Sequence, residues 1–255
     1  MNREERLKYI LNVIPKLSGF RLSLIHEIIS VLEQPSEFSR LPNSDLITES
    51  VLNDFGDILR VHHSFSREPF SKDKFEYAFE KILAASGFAA LLAPRGQRGY
   101  DLTIDGQQFS LKTEAARAIR VNTLHISKFM ELGGGDWGDS PSNLEGLRQQ
   151  FLDNLSGVER ILTLRALKKS NPFTYELVEI PKKLLAKAAS GSLEMKIEST
   201  QYPKPGYCYV REENSLLFSL YFDGGGERKL QIKSLRKDLC ILHATWNFTL
   251  PTSTQ

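Results

Sequence analysis

Cysteine is scarce in this sequence, with only Cys208 and Cys240 among its 255 residues. Two cysteines are too few for a disulfide scaffold, and their spacing matches no zinc motif. These facts exclude the small disulfide-rich and zinc-ribbon classes of protein. The sequence also has no apolar segment behind a basic amino terminus of the kind that directs secretion. Both observations predict a cytoplasmic protein in a reducing compartment.

Long hydrophobic runs and a charge excess are absent as well. No segment approaches the roughly 20 consecutive apolar residues that cross a bilayer, so we expect no association with a membrane. The 33 basic and 31 acidic residues leave a net charge of +2, which argues against binding nucleic acid through bulk charge alone. This balance is still compatible with basic residues concentrated in one region and offset by carboxylates in a cleft.

The residues that are present predict an ordinary globular chain, since 41% are hydrophobic and 25% are charged. Two helical segments are predicted within residues 1–35. The stretch DKFEYAFEKILAASG predicts a further helix that has Asp73 as its N-cap, carries Glu76 in its first turn and stops at Gly87. The last third of the chain is mostly strand-like. We therefore expect an α/β fold, in which helices flank a mixed β-sheet and a β-rich region is added toward the C-terminus.

The stretch DLTIDGQQFSLKTE predicts a tight β-hairpin. Asp105-Gly106 is a strong signal for a two-residue turn, and such a turn fixes the register of the strands on either side. Side chains then alternate between two faces. The expected core face carries Leu102, Ile104, Phe109 and Leu111. The other face carries Asp101, Thr103, Ser110, Lys112 and Glu114.

In this register Asp101 lies opposite Ser110, and Lys112 is its diagonal neighbour at roughly 7–8 Å between backbones. The two charged side chains can therefore reach one point in space. A carboxylate, a backbone carbonyl such as that of Leu111 and a nearby lysine suit phosphodiester cleavage with Mg²⁺. The alternative is a hairpin with one solvated face, on which an acid and a lysine pair weakly across the strands.

Several basic side chains are candidates for contacts with DNA. In the stretch DGGGERKLQIKSLRK three glycines allow a close backbone approach, and basic residues follow within a dozen positions. If the protein binds a G/C-rich site, Arg228 is the first candidate for a base contact, because Arg and Lys read guanine best in the major groove. The alternative is a basic hairpin that only keeps the protein soluble. The remaining candidates are Lys229, Lys233, Lys204, Arg117, Arg120 and Lys128.

The hairpin resembles the core of the PD-(D/E)XK nucleases, in which an Asp begins one strand and an acid-x-Lys follows on the next. Tyr100 stands where that pattern usually has Pro, and Ser110 stands where it has the second acid. The resemblance implies that Asp101 binds the metal and that Lys112 positions the attacking water. It also implies that another carboxylate replaces the missing acid. Two candidates for that replacement are Glu114 and Glu76.

From about residue 48 onward the sequence also resembles, more narrowly, the SmaI family of type II restriction endonucleases. The resemblance is carried by FEYAF, DLTIDGQQFSLKTEAA, HISKFMELGGGDW, ERILTLRALK, YELVEIPKKLL, PKPGYCYV, FSLYFDGGGERKLQIKSL and HATWNFTLP. It implies a bacterial, homodimeric, Mg²⁺-dependent enzyme that cuts double-stranded DNA at the centre of CCCGGG and leaves blunt ends. A cognate DNA methyltransferase is then expected to protect the host DNA.

The same resemblance implies one restriction endonuclease domain over residues 1–255. Within it we expect an N-terminal helical region at residues 1–45, a catalytic core with the hairpin at residues 46–135, and a sheet and DNA-recognition region at residues 136–255.

Three other functions stay open on the sequence. A structure-specific repair or junction-resolving nuclease uses the same core with DNA structure as its cue. A catalytically inactive DNA-binding protein would follow if the loss of the acid at Ser110 were uncompensated. A structural or interaction protein would show no salt-dependent affinity for DNA.

Overall fold

The computed structural model describes residues 1–94, 96–97, 99–133 and 137–251. Within these ranges no helix is both long enough and apolar enough to traverse a lipid bilayer. The helices are α1 (Arg3–Val13), α2 (Gly19–Leu32), α3 (Glu49–Phe65), α4 (Lys72–Ala85), α5 (Asn143–Ser156) and α6 (Lys182–Ala186).

Helix α4 begins earlier than the sequence predicts. Its N-cap is Ser71, whose hydroxyl accepts the Lys74 N–H at 3.4 Å, so the prediction of Asp73 as N-cap is wrong. Asp73 instead lies in the first turn, where a negative charge is favourable beside the exposed N–H groups. The predicted stop is confirmed, because Gly87 follows the helix with a positive φ of 94°.

Twelve strands make up the β structure among the described residues. They are β1 (Ser36–Arg40), β2 (Ala90–Leu92), β3 (Leu102–Ile104), β4 (Gln107–Glu114), β5 (Thr123–Glu131), β6 (Arg160–Lys168), β7 (Phe173–Glu179), β8 (Ser192–Met195), β9 (Gly206–Glu212), β10 (Ser215–Asp223), β11 (Lys229–Arg236) and β12 (Ile241–Phe248). The first sheet has the order β1-β12-β7-β6-β4-β3-β2, and the second has the order β5-β11-β10-β9-β8.

The first sheet is mixed, as predicted, because β4 and β6 run parallel while its other neighbouring strands are antiparallel. One of its faces packs against α3 and α4 in a core that includes Phe55, Phe79 and Trp246. The other face packs against α5 and the second sheet in a core that includes Phe151 and Phe218. The second sheet is the predicted added β-rich region, although its edge strand β5 comes from before α5.

The two N-terminal helices add little to either core. Helix α1 buries none of its residues, and α2 buries only Val31. Large apolar side chains are exposed on both helices, among them Leu7, Ile10 and Phe20. The predicted helical start of the chain is therefore confirmed, and several of its large apolar side chains are exposed to solvent.

Candidate active site

The predicted hairpin is present with the predicted register. Leu102 pairs with Phe109, Thr103 with Gln108 and Ile104 with Gln107. Asp105 and Gly106 both have positive φ, at 49° and 83°, as a two-residue turn of this type requires. All four side chains of the predicted core face are buried, namely Leu102, Ile104, Phe109 and Leu111.

Asp101 lies immediately before β3, and its carboxylate is held by the facing strand β4. Its Oδ2 atom accepts the Leu111 N–H at 2.7 Å and the Ser110 hydroxyl at 3.2 Å. Lys112 Nζ lies 3.8 Å from the same oxygen. The N–H and C=O of a strand residue project from the same edge, so the Leu111 carbonyl also lies on this side of β4. The hairpin therefore brings the predicted acid, lysine and carbonyl together.

Helix α4 adds two charged groups to this cluster. Lys72 Nζ lies 2.7 Å from Asp101 Oδ1 and also forms an ion pair with Glu76, one turn further along the helix. The predicted candidate Glu76 therefore contacts the site through Lys72. Sequence reasoning missed Lys72 itself. The available signal was its i,i+4 spacing from Glu76, a spacing that is common on solvated helices and points to no particular site.

The charges at this site shift one another's protonation equilibria. Burial alone would raise the pKa of Asp101, but Lys112, Lys72 and the Leu111 N–H outweigh it and hold that pKa below its ordinary value. Burial lowers the pKa of the Lys112 ammonium, and Asp101 only partly opposes this shift. For Lys72 the two carboxylates outweigh burial and raise the pKa. Asp101 is therefore held as a carboxylate beside Lys112, whose side chain is largely shielded from solvent.

Glu114 lies elsewhere, although it shares the hairpin face with Lys112. Its Oε2 is 2.6 Å from the Nε of the fully buried Arg165, and its Oε1 accepts the His125 N–H at 3.1 Å. Burial raises the pKa of Glu114, and Arg165 opposes that shift. Arg165 also pairs with Glu176, which in turn contacts Lys237. Glu114 thus belongs to a buried ionic network that joins the two sheets.

Asp101 and Lys112 open into a cleft of about 740 Å³ between the first sheet, α5 and the end of β5. Lys72 and Lys128 add two more basic side chains to its wall, and Gln150 and Asn154 of α5 add amides. The described residues that line it are Lys72, Gln97, Gly99, Tyr100, Asp101, Lys112, Lys128, Phe129, Met130, Glu131, Gly133, Gln150 and Asn154. An anionic, extended ligand suits a cleft that is lined in this way.

Three loops meet beside the cleft and carry several of the predicted DNA-contact residues. The Arg228 carbonyl accepts the Leu132 N–H at 2.7 Å, next to Gly133 of the cleft wall. The Lys204 N–H donates to the Gly138 carbonyl at 3.1 Å, and its carbonyl accepts the Trp137 indole N–H at 3.0 Å. A side chain at Gly224 would clash with the Pro203 carbonyl, with only 1.9 Å between them, so these loops pack closely.

The other predicted DNA-contact residues are more dispersed. Lys229 pairs with Glu227 at 2.8 Å in the same loop region as Arg228. Lys233 lies on the outer face of the second sheet, with Nζ 3.7 Å from the Tyr221 ring centroid. Lys128 pairs with Glu131 at the cleft. The exposed Arg117 and Arg120 lie on the loop between β4 and β5, and the described cleft residues do not include them.

The donor atoms at the cluster suit Mg²⁺. Two carboxylates, from Asp101 and Glu76, and the Leu111 carbonyl are hard oxygen ligands, and Mg²⁺ keeps several waters beside one or two carboxylates. The part of the chain that the structure describes holds no group of three or more His, Cys, Asp or Glu residues placed to bind a metal.

Comparisons with known proteins match one family over most of the chain. The model of the SmaI family, described as type II site-specific deoxyribonuclease, matches residues 10–248. Over 212 residues the chain is 48% identical to "Type II restriction enzyme SmaI" of Serratia marcescens. The aligned region covers 82% of this chain and 84% of that protein. A weaker similarity, 25% over 136 residues, covers 52% of this chain and 45% of the ribosomal RNA small subunit methyltransferase H of Chlamydia abortus. No solved structure matches the chain.

Proposed function

Because the chain belongs to the SmaI family of type II site-specific deoxyribonucleases, we propose that it recognises the palindrome CCCGGG. On this proposal it uses Mg²⁺ and cuts both strands at the centre of the site, leaving blunt ends. The observation that carries the proposed metal-dependent cleavage is the cluster around Asp101, where Leu111, Lys112 and Lys72 contact one carboxylate at the wall of a cleft.

Asp101, Glu76 and the Leu111 carbonyl are the groups proposed to hold Mg²⁺. When bound, the ion would polarise the scissile phosphate and lower the pKa of a coordinated water. Glu76 is proposed as the replacement for the acid missing at Ser110. Glu114 is not, because it is buried against Arg165 in a separate network, whereas Glu76 shares the ion-pair partner Lys72 with Asp101.

Lys112 is proposed to orient the attacking water and to stabilise the negative charge that develops on the phosphate. Only 11% of its side chain is exposed, and its Nζ is 5.4 Å from the Phe129 ring centroid. Its position is restricted by this packing and by Asp101.

Contacts with DNA are proposed at the loops beside the cleft. Arg228, on the loop that adjoins Gly133, is the proposed reader of guanine in the major groove. Lys204, Lys229 and Lys128 are proposed to contact phosphates near it, with Lys233 further along the second sheet. Arg117 and Arg120 remain weaker proposals, since no described contact brings them to the cleft.

A homodimer is proposed because a two-fold protein matches a two-fold site and supplies one cleft to each strand. The exposed apolar side chains of α1 and α2 are compatible with a contribution to that dimer. The expected setting is the bacterial cytoplasm, with a cognate methyltransferase that modifies the same sequence and so protects the host DNA.

The specificity is tested with three substrates: a duplex that contains CCCGGG, a duplex of equal composition that lacks it, and a four-way junction without the site. We expect Mg²⁺-dependent cleavage of the first substrate alone. Cleavage of the junction would favour a structure-specific nuclease. Binding of the first duplex without cleavage in Mg²⁺ would favour an inactive DNA-binding protein.

A further inference from the structure

The two oxygens of Asp101 have different surroundings. Oδ2 is occupied by the Leu111 N–H at 2.7 Å and the Ser110 hydroxyl at 3.2 Å, with Lys112 Nζ at 3.8 Å. Oδ1 is contacted by Lys72 Nζ at 2.7 Å. A cation that binds Asp101 from the cleft must therefore use Oδ1, since the lone pairs of Oδ2 already accept hydrogen bonds.

Lys72 reaches across to the second carboxylate as well. Its Nζ also forms an ion pair with Glu76, so a single ammonium group contacts both acids of the cluster. A divalent cation that used those two carboxylates would require the same space, and two cations at such separation repel strongly. Lys72 and the divalent cation therefore cannot bind these carboxylate oxygens at the same time.

We propose that the Lys72 ammonium group occupies the position of a divalent cation between Asp101 and Glu76 and neutralises these two carboxylates while no cation is bound. The Lys72 side chain then has to rotate out of this position before a cation binds. This inference rests on the proposed function, because it takes those two carboxylates as the metal ligands. Lys72 is then a positioning residue that sets the affinity of the site for the metal.

The surroundings of Lys72 allow this movement. It lies in the first turn of α4, directly after the N-cap Ser71, and 39% of its side chain is exposed to solvent. The long side chain can therefore rotate its ammonium into water while the helix stays in place. Lys112, in contrast, has only 11% of its side chain exposed and has little room to leave.

The test is a titration of the full-length protein with Mn²⁺, without DNA, in which free Mn²⁺ is measured by electron paramagnetic resonance. Lys72→Met should tighten Mn²⁺ binding by roughly tenfold, since the cation no longer breaks a charged hydrogen bond. Lys81→Met is the matched control, because it removes the same charge from the same helix at an exposed position. Its affinity for Mn²⁺ should equal that of the wild type.

Two further variants keep the outcome unambiguous. Lys72→Gln repeats the test in case the methionine variant does not fold, and Asp101→Ala should abolish the site. Unchanged or weaker Mn²⁺ binding in the Lys72 variants, with binding still dependent on Asp101, overturns this inference and leaves the proposed function intact. Mn²⁺ binding that Asp101→Ala does not affect overturns the proposed metal site itself.

Discussion

Replacing Arg165 with methionine would remove the centre of the ionic network that joins the two sheets. The Arg165 side chain is fully buried and pairs with Glu114 at 2.6 Å and with Glu176 at 3.0 Å. It also donates to the backbone carbonyls of Arg120, Val121 and Thr123, at 2.7, 3.4 and 2.9 Å. Methionine fills part of the same volume and provides no donor. In the variant Glu176 retains Lys237, whereas Glu114 loses its cation.

The expected loss of stability is large. Removing one partner of a buried ion pair costs about 3–5 kcal/mol, because the remaining charge stays buried without compensation. The three carbonyls that lose a donor add about 1 kcal/mol each if water does not reach them. A total of about 6–8 kcal/mol would be a large part of the 5–15 kcal/mol that is typical of a folded domain.

The loss should depend on pH. Burial raises the pKa of Glu114 above its ordinary value even though Arg165 opposes the shift, and without Arg165 the pKa rises further. A carboxyl group whose pKa is higher in the folded state stabilises the fold below its unfolded pKa, and this stability is lost as pH rises through the folded pKa. The deficit of Arg165→Met should therefore be smaller at about pH 5.5 than at about pH 8.

Urea unfolding of both proteins at the two pH values measures the difference directly. A loss of less than about 1 kcal/mol in Arg165→Met, or an equal loss at both pH values, would contradict this role of Arg165. Arg148→Met is the control. Arg148 is partly buried, donates to the Gly191 carbonyl and has no carboxylate partner in the described ion pairs. Its loss of stability should therefore be the same at both pH values.

Three further predictions concern the cleft. Glu76→Gln should lower the rate of duplex cleavage at least about 100-fold and weaken Mn²⁺ binding. Glu114→Gln should leave Mn²⁺ binding near the wild-type value. A Mn²⁺ titration and a duplex cleavage assay of both variants test this difference. Ser110→Asp places a second carboxylate beside Asp101, and the two negative charges repel. The melting temperature of this variant should therefore fall in EDTA and recover in Mg²⁺. An equal melting temperature in EDTA and in Mg²⁺ would contradict a cation site there. Arg228→Ala should weaken binding to CCCGGG by about 1–3 kcal/mol and reduce the preference for CCCGGG over sites with a substituted base pair, as measured in a competition assay. Equal weakening at all sites would instead indicate a phosphate contact.

The sequence predicted the hairpin well because the information is local. Asp105-Gly106 determines the turn, and the alternation from Leu102 to Leu111 determines which face is buried. Together they imply that Asp101 and Lys112 converge, and the distance of 3.8 Å confirms it. The strands at 160–168 and 173–179 were predictable for the same reason, since each lies in one apolar run between turn residues.

Other parts of the site depend on packing between distant segments. Lys72 reaches Asp101 across 29 residues, and Arg165 reaches Glu114 across 51. Neither pairing leaves a periodic signal, because it follows from how α4 and β6 pack against the hairpin. On the sequence, Glu114 and Glu76 were therefore both candidates for the second acid, and Glu114 was the one expected to bind the metal. The partners that each one finds in the fold favour Glu76.

The proposed active site is tested most directly by a plasmid digest with the purified protein, in Mg²⁺ and in EDTA, in which the cut ends are sequenced. We expect blunt ends at the centre of CCCGGG that are lost in EDTA and in Asp101→Ala. A folded protein that binds the same DNA and makes no metal-dependent cut, or whose cleavage persists in Asp101→Ala, would contradict the assignment of this hairpin as the active site.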